Sequence, residues 1–124
     1  MIELMITVAV IALLAAIAVP SYRQHVIRGK RSAAQAVMMD LANREQQYLL
    51  ANRVYADKTA LQSNGYAPAP ETTRDYDWEV DAEAPDDGPP TFTITLTPRA
   101  GGGQAGDVTL TLDHTGAKTP ADKW

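Results

Sequence analysis

The sequence contains no cysteine and only two histidines. Without cysteine, disulfide bonds, zinc–thiolate sites and thiol chemistry are excluded, so no covalent cross-link holds the fold together. The histidines, His25 and His114, lie far apart in the chain, and no serine stands in a nucleophile-elbow motif. Because these residues are the usual parts of an acyl-transfer site, we expect a protein that is not an enzyme and uses no cofactor.

Positive charge is also scarce, with 11 basic against 15 acidic residues and a net charge of -4. A protein that grips nucleic acid with its whole surface is basic, so only a local basic patch could bind nucleic acid here. The four glycines between Ala100 and Gly106 lack the lysine and Ser/Thr of a phosphate-binding loop and predict a flexible turn. The length fits one domain with an anchor.

The longest uncharged run extends over 19 residues, from Leu4 to Tyr22. As a helix it would be about 28 Å long, which matches the hydrocarbon thickness of a bilayer. The run is apolar on all sides, whereas the core helix of a small soluble protein is amphipathic. A cleaved signal peptide is a further alternative, but Glu3 occupies a position where a basic residue is expected. We predict a membrane segment over residues 1–22.

Two residues distinguish this segment from a simple anchor. The carboxylate of Glu3, at the membrane end of the helix, is unfavourable unless it reaches the interface or a cation. Pro20 removes a backbone donor and favours a kink where the helix leaves the membrane. Several alanines along the run allow other helices to approach closely. We expect this helix to pack against other helices.

The helical pattern continues beyond Pro20 to about residue 53. Its apolar side chains recur on roughly one face: Val26, Ala33, Val37, Leu41 and Tyr48. Gly29 is a weak point, since glycine costs about 1 kcal/mol relative to alanine inside a helix. We predict one long helix, half membrane-spanning and half amphipathic.

A cluster of basic side chains, here called the basic collar, follows the apolar segment: Arg23, His25, Arg28, Lys30 and Arg31. Contact with lipid headgroups is the simplest interpretation. Carboxylates of a neighbouring subunit and nucleic acid are the alternatives. By the positive-inside rule, this collar alone would place the following domain in the cytoplasm.

The C-terminal half reads as a small β-sheet. An irregular loop is predicted over 57–75, followed by three segments that alternate apolar and polar residues, at 76–82, 91–97 and 107–113. The fold class is α+β, with a long N-terminal helix packed against an antiparallel sheet of three to four strands. Residues 114–124 form a turn-rich tail, here called the C-terminal tail, expected along the domain edge.

Acidic residues occupy every second position at the first strand: Asp75, Asp77, Glu79, Asp81 and Glu83. The spacing is similar to the start of a calcium-binding loop, but Val80 stands where the sharp turn needs glycine, and no bidentate glutamate follows. We interpret these carboxylates as a solvated strand face and predict no metal site. Such a face also discourages unwanted edge pairing.

The N-terminal motifs resemble those of type IV pilins. They are Ile2-Glu3-Leu4-Met5-Ile6, the long apolar run and Val19-Pro20-Ser21-Tyr22. Three further stretches, Gln46-Gln47-Tyr48, Asn52-Arg53-Val54-Tyr55 and Leu110 to Thr119, are similar to PilE-like minor pilins. The resemblance implies a pilin fold and a precursor made in the inner membrane, cut by a prepilin peptidase, N-methylated and assembled with other pilin subunits into a filament.

The resemblance also implies roles for two residues. Glu3 matches the glutamate that meets the N-terminal amine of a neighbouring subunit, and Pro20 matches the helix-kinking proline. The C-terminal domain would lie outside the cytoplasm, first on the inner membrane and later in an extracellular pilus. The leading function is therefore a structural, minor pilin of a type IV pilus that supports adhesion, twitching motility or DNA uptake.

Two features depart from the pilin pattern. Pilins usually begin Phe-Thr-Leu-Ile-Glu after a basic leader, whereas this sequence begins Met1-Ile2-Glu3, so processing and methylation are not assigned to a residue. The C-terminal cysteine pair common in these pilins is missing. We hypothesise that Lys123 instead pairs with Asp107 or Asp113 to hold the tail.

Three alternatives to a minor pilin remain from the sequence. A pseudopilin of a type II secretion system would bind calcium near its C-terminal domain. A pilus-borne receptor for DNA or a host surface would use Arg23, Arg28, Lys30 and Arg31, or the glycine-rich turn. A plain single-pass anchored domain would never polymerise, and Glu3 would be dispensable in it.

Overall fold

A computed structural model describes residues 1–124, and its dominant element is one helix, α1, over Ile2–Asn52. The helix is continuous through Pro20 and Gly29. It ends where Arg53 adopts the left-handed conformation with φ of 62° and donates its N–H to the carbonyl of Leu49 at 2.7 Å. This backbone cap satisfies a carbonyl that has no partner within the helix. The predicted long N-terminal helix is confirmed.

The first half of α1 packs against no other part of the chain. Every residue from Met1 to His25 is exposed, including large apolar side chains such as Leu4 and Ile17. The most apolar window has a mean hydropathy of 2.7, and the helix is long and apolar enough to cross a membrane. Because water is a poor environment for this surface, it requires lipid or other helices around it.

The C-terminal half folds into one antiparallel sheet in the order β1-β2-β3-β4. Its strands are Tyr76–Glu83, Thr91–Pro98, Leu110–Asp113 and Lys118–Thr119. Each strand pairs with the next along the chain, so the sheet is a meander in which Val80 faces Ile94 and Ile94 faces Leu112. The predicted α+β architecture with a small antiparallel sheet is confirmed.

The segment 57–75, predicted as an irregular loop, contains two short helices. Helix α2 spans Lys58–Ser63 and is capped by the carboxylate of Asp57, which accepts the N–H of Ala60 at 2.7 Å. Helix α3 spans Pro70–Asp75 and begins at a proline, whose fixed φ suits a first helical position. Two prolines and one glycine interrupt the segment, so the local pattern alone did not reveal either helix.

Two further boundaries differ from those predicted. The third strand begins at Leu110 and not at 107, because Asp107 lies in the preceding loop and turns toward α1. The C-terminal tail carries the short strand β4 and a 3-10 helix over Ala121–Lys123. The tail is thus part of the sheet and its edge.

The core lies between the second half of α1 and one face of the sheet. The helix contributes Ala34, Met38 and Leu41, and the strands contribute their alternate apolar residues. The helix face that meets the sheet is therefore offset from the predicted one: Ala33 is exposed, and Val26 and Val37 are only half-buried. Glu45, which is fully buried, continues the packed stripe.

Candidate assembly and nucleic-acid interfaces

Glu3 and Pro20, the two residues predicted to act in assembly, both lie on the exposed half of α1. Glu3 is in the first helical turn, and its backbone carbonyl accepts the hydroxyl of Thr7 at 2.7 Å, while its carboxylate is largely solvent-exposed. In water, pairing this carboxylate with an ammonium group would stabilise it little. Once lipid or protein excludes water around the apolar helix, the same ion pair becomes much more favourable than the unpaired charges. The exposed Met1 ammonium lies 3.4 Å from Glu3 Oε2, and the other carboxylate oxygen has no partner within the chain. Glu3 is therefore exposed to a neighbouring molecule.

An ion pair joins α1 to the loop between β2 and β3. The guanidinium of Arg31 donates twice to the carboxylate of Asp107, with Nε 3.0 Å from Oδ2. The Asp107 side chain is only 5 % exposed. Burial on its own raises the pKa of Asp107, but the hydrogen bonds from Arg31 and Val108 and the charge of Arg31 outweigh it and hold this pKa below its ordinary value.

Gln104 connects the same loop to the backbone of α1. Its fully buried amide nitrogen lies 3.0 Å from the carbonyl of Ile27, 3.0 Å from the hydroxyl of Tyr76 and 3.2 Å from Asp107 Oδ2. The Tyr76 hydroxyl donates to the same Asp107 oxygen at 3.3 Å, and burial is the main reason that the pKa of Tyr76 is raised. These contacts fix the loop where α1 leaves the domain.

A second ion pair reinforces this connection. Lys30 Nζ lies 3.0 Å from Asp75 Oδ2, and the other Asp75 oxygen accepts the N–H of Gly103 at 3.2 Å. A Cβ atom on Gly103 would come within 2.5 Å of the Lys30 ammonium nitrogen. The glycine-rich segment, predicted as a flexible turn, is therefore anchored to α1. Because Gly103 has no side chain, its backbone can lie close to the Lys30–Asp75 ion pair.

The structure divides the four basic residues proposed to contact nucleic acid or lipid. Lys30 and Arg31 point into the domain and neutralise Asp75 and Asp107. Arg28 and Arg23 are exposed and form no ion pair, so they remain available to a partner. Basic residues close together in the sequence thus face different directions, because each residue turns the helix by about 100°.

The tail is held by contacts other than the predicted one. The structure does not bring the Lys123 ammonium to Asp107, which is paired with Arg31, or to Asp113. Hydrogen bonds from Thr115, and to a lesser degree from Ala117, lower the pKa of Asp113 within a tight turn.

Two hydrogen bonds fix the end of the tail instead. Gln35 Nε2 donates to the Lys123 carbonyl at 2.7 Å, and Trp124 Nε1 donates to the Thr119 carbonyl at 3.2 Å. No signal in the sequence singles out Gln35.

Charge is distributed unevenly over the domain surface. Six basic residues form no ion pair and are exposed: Arg23, Arg28, Arg53, Arg74, Lys118 and Lys123. The outer face of the sheet is acidic through Asp77, Glu79, Asp81 and Glu83, all of which are exposed as predicted. Asp75 does not belong to this face, because it ends α3 and is buried.

A bare apolar half-helix, continued by an amphipathic half that packs on an antiparallel meander, is the architecture of a type IV pilin. The chain belongs to the family described as type IV minor pilin ComP, DNA uptake sequence receptor, whose sequence profile matches residues 20–112. The match extends from Pro20 in α1 to Leu112 in β3, and it confirms the predicted minor pilin class. This is a family of structural subunits and receptors, not of enzymes. No curated protein and no solved structure matches the chain.

Proposed function

We propose that the protein is a minor pilin that binds DNA with its C-terminal domain after the first half of α1 has entered a type IV pilus. The observation that carries this proposal is the match to the DNA-receptor family over residues 20–112, which includes nearly all of the packed domain. Other pilin subunits and the inner membrane are its partners in assembly, and a prepilin peptidase is the processing enzyme that the family implies.

The distribution of charge supports a DNA-binding role. The net charge is -4, yet six exposed cations are free of ion pairs, while the acidic residues concentrate on the outer face of β1. Exposed Lys and Arg side chains displace counterions from DNA, which supplies most of the affinity of such contacts. A polyanion would approach the domain away from the sheet face.

The proposed location follows from the same function. External DNA reaches only the outer side of the inner membrane and the pilus surface, so the C-terminal domain lies outside the cytoplasm. The apolar half of α1, long enough to cross a membrane, holds the chain in the lipid before assembly. In the filament it exchanges lipid contacts for contacts with other helices.

The test is a titration of labelled duplex DNA with the full chain in detergent micelles. We expect DNA binding, with the logarithm of the association constant falling linearly with the logarithm of the salt concentration. Competition with duplexes of different sequence then separates sequence-specific from general binding. Absence of binding to every duplex in a random-sequence pool at low salt would refute the receptor role and leave the pilin assignment intact.

A further inference from the structure

A groove runs along one flank of α1, between the helix and the C-terminal tail. Its first part, about 430 Å³, is lined by Arg28 and Gln35 of the helix and by Lys123 and Trp124 of the tail. Its second part, about 290 Å³, continues along the helix and includes Lys118 on the opposite wall. The Lys118 ammonium lies 5.0 Å from the centre of the Trp124 ring, so the two parts adjoin. We call the whole the α1–tail groove.

Three of the six unpaired cations line this groove: Arg28, Lys118 and Lys123. The carboxylates of Asp113 and Asp122 also border it. Asp113 Oδ1 is occupied, since it accepts three hydrogen bonds within its turn. Asp122 is exposed and forms no ion pair or hydrogen bond. Three available cations therefore outnumber the two carboxylates of the groove, of which only Asp122 has no partner.

The tail cations are held on an ordered support. The Lys123 backbone is tied to α1 by the bond from Gln35, and Trp124 donates to Thr119 while its ring lies beside Lys118. Cations whose backbone is already fixed lose less conformational freedom when they bind, which favours affinity.

The second part of the groove offers groups that read base edges. Asn43 and Gln46 are exposed amides of α1 on the same flank. Gln46 Nε2 contacts the Tyr55 hydroxyl at 3.3 Å, which leaves its side-chain carbonyl free to accept. Asparagine and glutamine amides pair with adenine in the major groove. From Arg28 to Gln46 the helix rises about 27 Å, the length of roughly eight base pairs.

We propose that the α1–tail groove is the DNA-binding site of this protein. Arg28, Lys118 and Lys123 contact phosphates of the duplex, and Asn43 and Gln46 face its bases. This proposal rests on the proposed receptor function. It excludes Lys30 and Arg31 from direct contact, because their charges are neutralised inside the domain.

The test compares two double variants of the full chain in detergent micelles. In the groove variant Lys118→Gln/Lys123→Gln, we expect at least roughly tenfold weaker duplex binding at about 0.1 M salt and a salt slope smaller by about two. The control variant, Arg53→Gln/Arg74→Gln, removes two unpaired cations outside the groove and changes the net charge equally. We expect its affinity to fall by less than about threefold.

A variant that keeps both charges controls for the case in which the glutamine substitutions disturb the tail itself. Lys118→Arg/Lys123→Arg retains both charges, and we expect it to bind DNA as the wild type does. Equal losses in the groove and control variants would overturn the groove, since they would reflect general charge alone. A loss of binding to anionic phosphatidylglycerol vesicles with unchanged DNA affinity would also overturn it and assign these cations to lipid.

The base-reading part has its own test. In Asn43→Ala/Gln46→Ala, we expect general duplex affinity within about twofold of wild type but a reduced preference for the best sequence selected from a random pool. An unchanged preference would remove these amides from the site. If the wild type binds no duplex at all, the receptor function itself fails, which is a different outcome from wild-type binding that the groove variant leaves unchanged.

Discussion

Arg31 and Asp107 form a nearly buried ion pair that ties α1 to the loop between β2 and β3, at the level where the helix leaves the domain. Gln104 adds a contact from the same loop to the Ile27 carbonyl, one turn earlier. The apolar half of the helix therefore projects from a fixed point. In a filament, force on this half would reach the domain through these contacts.

Removal of the Asp107 carboxylate should destabilise the domain strongly. In Asp107→Ala, we expect a loss of about 3 kcal/mol in the free energy of unfolding, because the Arg31 charge stays buried without a partner. The matched control is Asp77→Ala, whose ion pair with Arg99 is exposed and should contribute less than about 1 kcal/mol. Urea unfolding monitored by tryptophan fluorescence measures both. Equal effects would contradict the proposed importance of the buried pair.

Glu45 should make the protein less stable as the pH rises, whereas a carboxylate in an ion pair makes a protein more stable. Burial raises the pKa of Glu45 to about 7, although a hydrogen bond from Ala56 lowers it in part and the charge of Asp57 raises it. Because the folded state binds the proton more tightly than the unfolded state, this group's contribution falls as pH rises from about 4.5 to 7, by up to about 3 kcal/mol.

The variant Glu45→Gln isolates this effect, since the amide does not titrate in that range. We expect the unfolding free energy of the wild type to decline relative to that of the variant as the pH rises from about 4.5 to 7. Denaturant unfolding at several pH values measures the difference. Parallel pH profiles would show that Glu45 ionises normally, whatever the absolute stability of the variant.

Gly103 should tolerate no side chain without loss of an ion pair. In Gly103→Ala, the Lys30 ammonium must move away from the new Cβ atom, and we expect a cost of about 1 kcal/mol. Gly102→Ala is the control, because its Cβ would meet its nearest neighbour at an ordinary 3.4 Å. In a Lys30→Met background the cost at Gly103 should shrink. An undiminished cost there would assign the effect to Asp75 Oδ1, 3.1 Å from the new Cβ position, or to the loop backbone.

Glu3 should be required for assembly and not for membrane insertion. In Glu3→Ala, we expect the chain to remain in the membrane fraction and to disappear from sheared pili, because the proposed pairing of its carboxylate with an ammonium group in the apolar filament core would be lost. Thr7→Ala, which removes only a local hydrogen bond to the Glu3 carbonyl, is the control. Immunoblots of both fractions decide the matter. Normal amounts of Glu3→Ala in pili would point to a subunit held by apolar contacts alone.

Gly29→Ala should stabilise the protein. Gly29 lies inside α1, is exposed and has open space around its missing Cβ. Alanine there should add up to about 1 kcal/mol to the unfolding free energy, because it reduces the backbone entropy lost in a helix. A rise in the melting temperature measures this gain, and a fall would show that the helix bends at this position.

Several elements of the fold were predictable because their signals are local. The apolar run, the helix through Pro20 and the strands around Trp78, Ile94 and Leu112 follow from periodicity over a few residues. The helices α2 and α3 were missed because each has only six residues and the stretch between them contains Asn64, Gly65 and Pro68, which are typical of turns. The offset of the buried helix face arose because Glu45, a charged residue, occupies a core position that periodicity assigns to an apolar one.

The candidate site was only partly predictable. The sequence identified Arg28 as one of several equivalent basic residues, but it could not separate Arg28 from Lys30 and Arg31. That distinction depends on Asp75 and Asp107, which lie far along the chain and approach α1 only after folding. The proposed roles of Lys118 and Lys123 in the groove were missed for the same reason, since the tail reaches α1 through Gln35.

The sequence by itself determined that the protein has an apolar N-terminal helix long enough to cross a membrane, a glutamate near the start of that helix and a small β-sheet domain. Each of these features is a property of residues that are neighbours in the chain. Only the tertiary structure decided which cations face solvent, because ion pairs such as that of Arg31 with Asp107 join positions 76 residues apart. Charge can be counted along a chain, but its availability to a partner depends on what lies next to it in space.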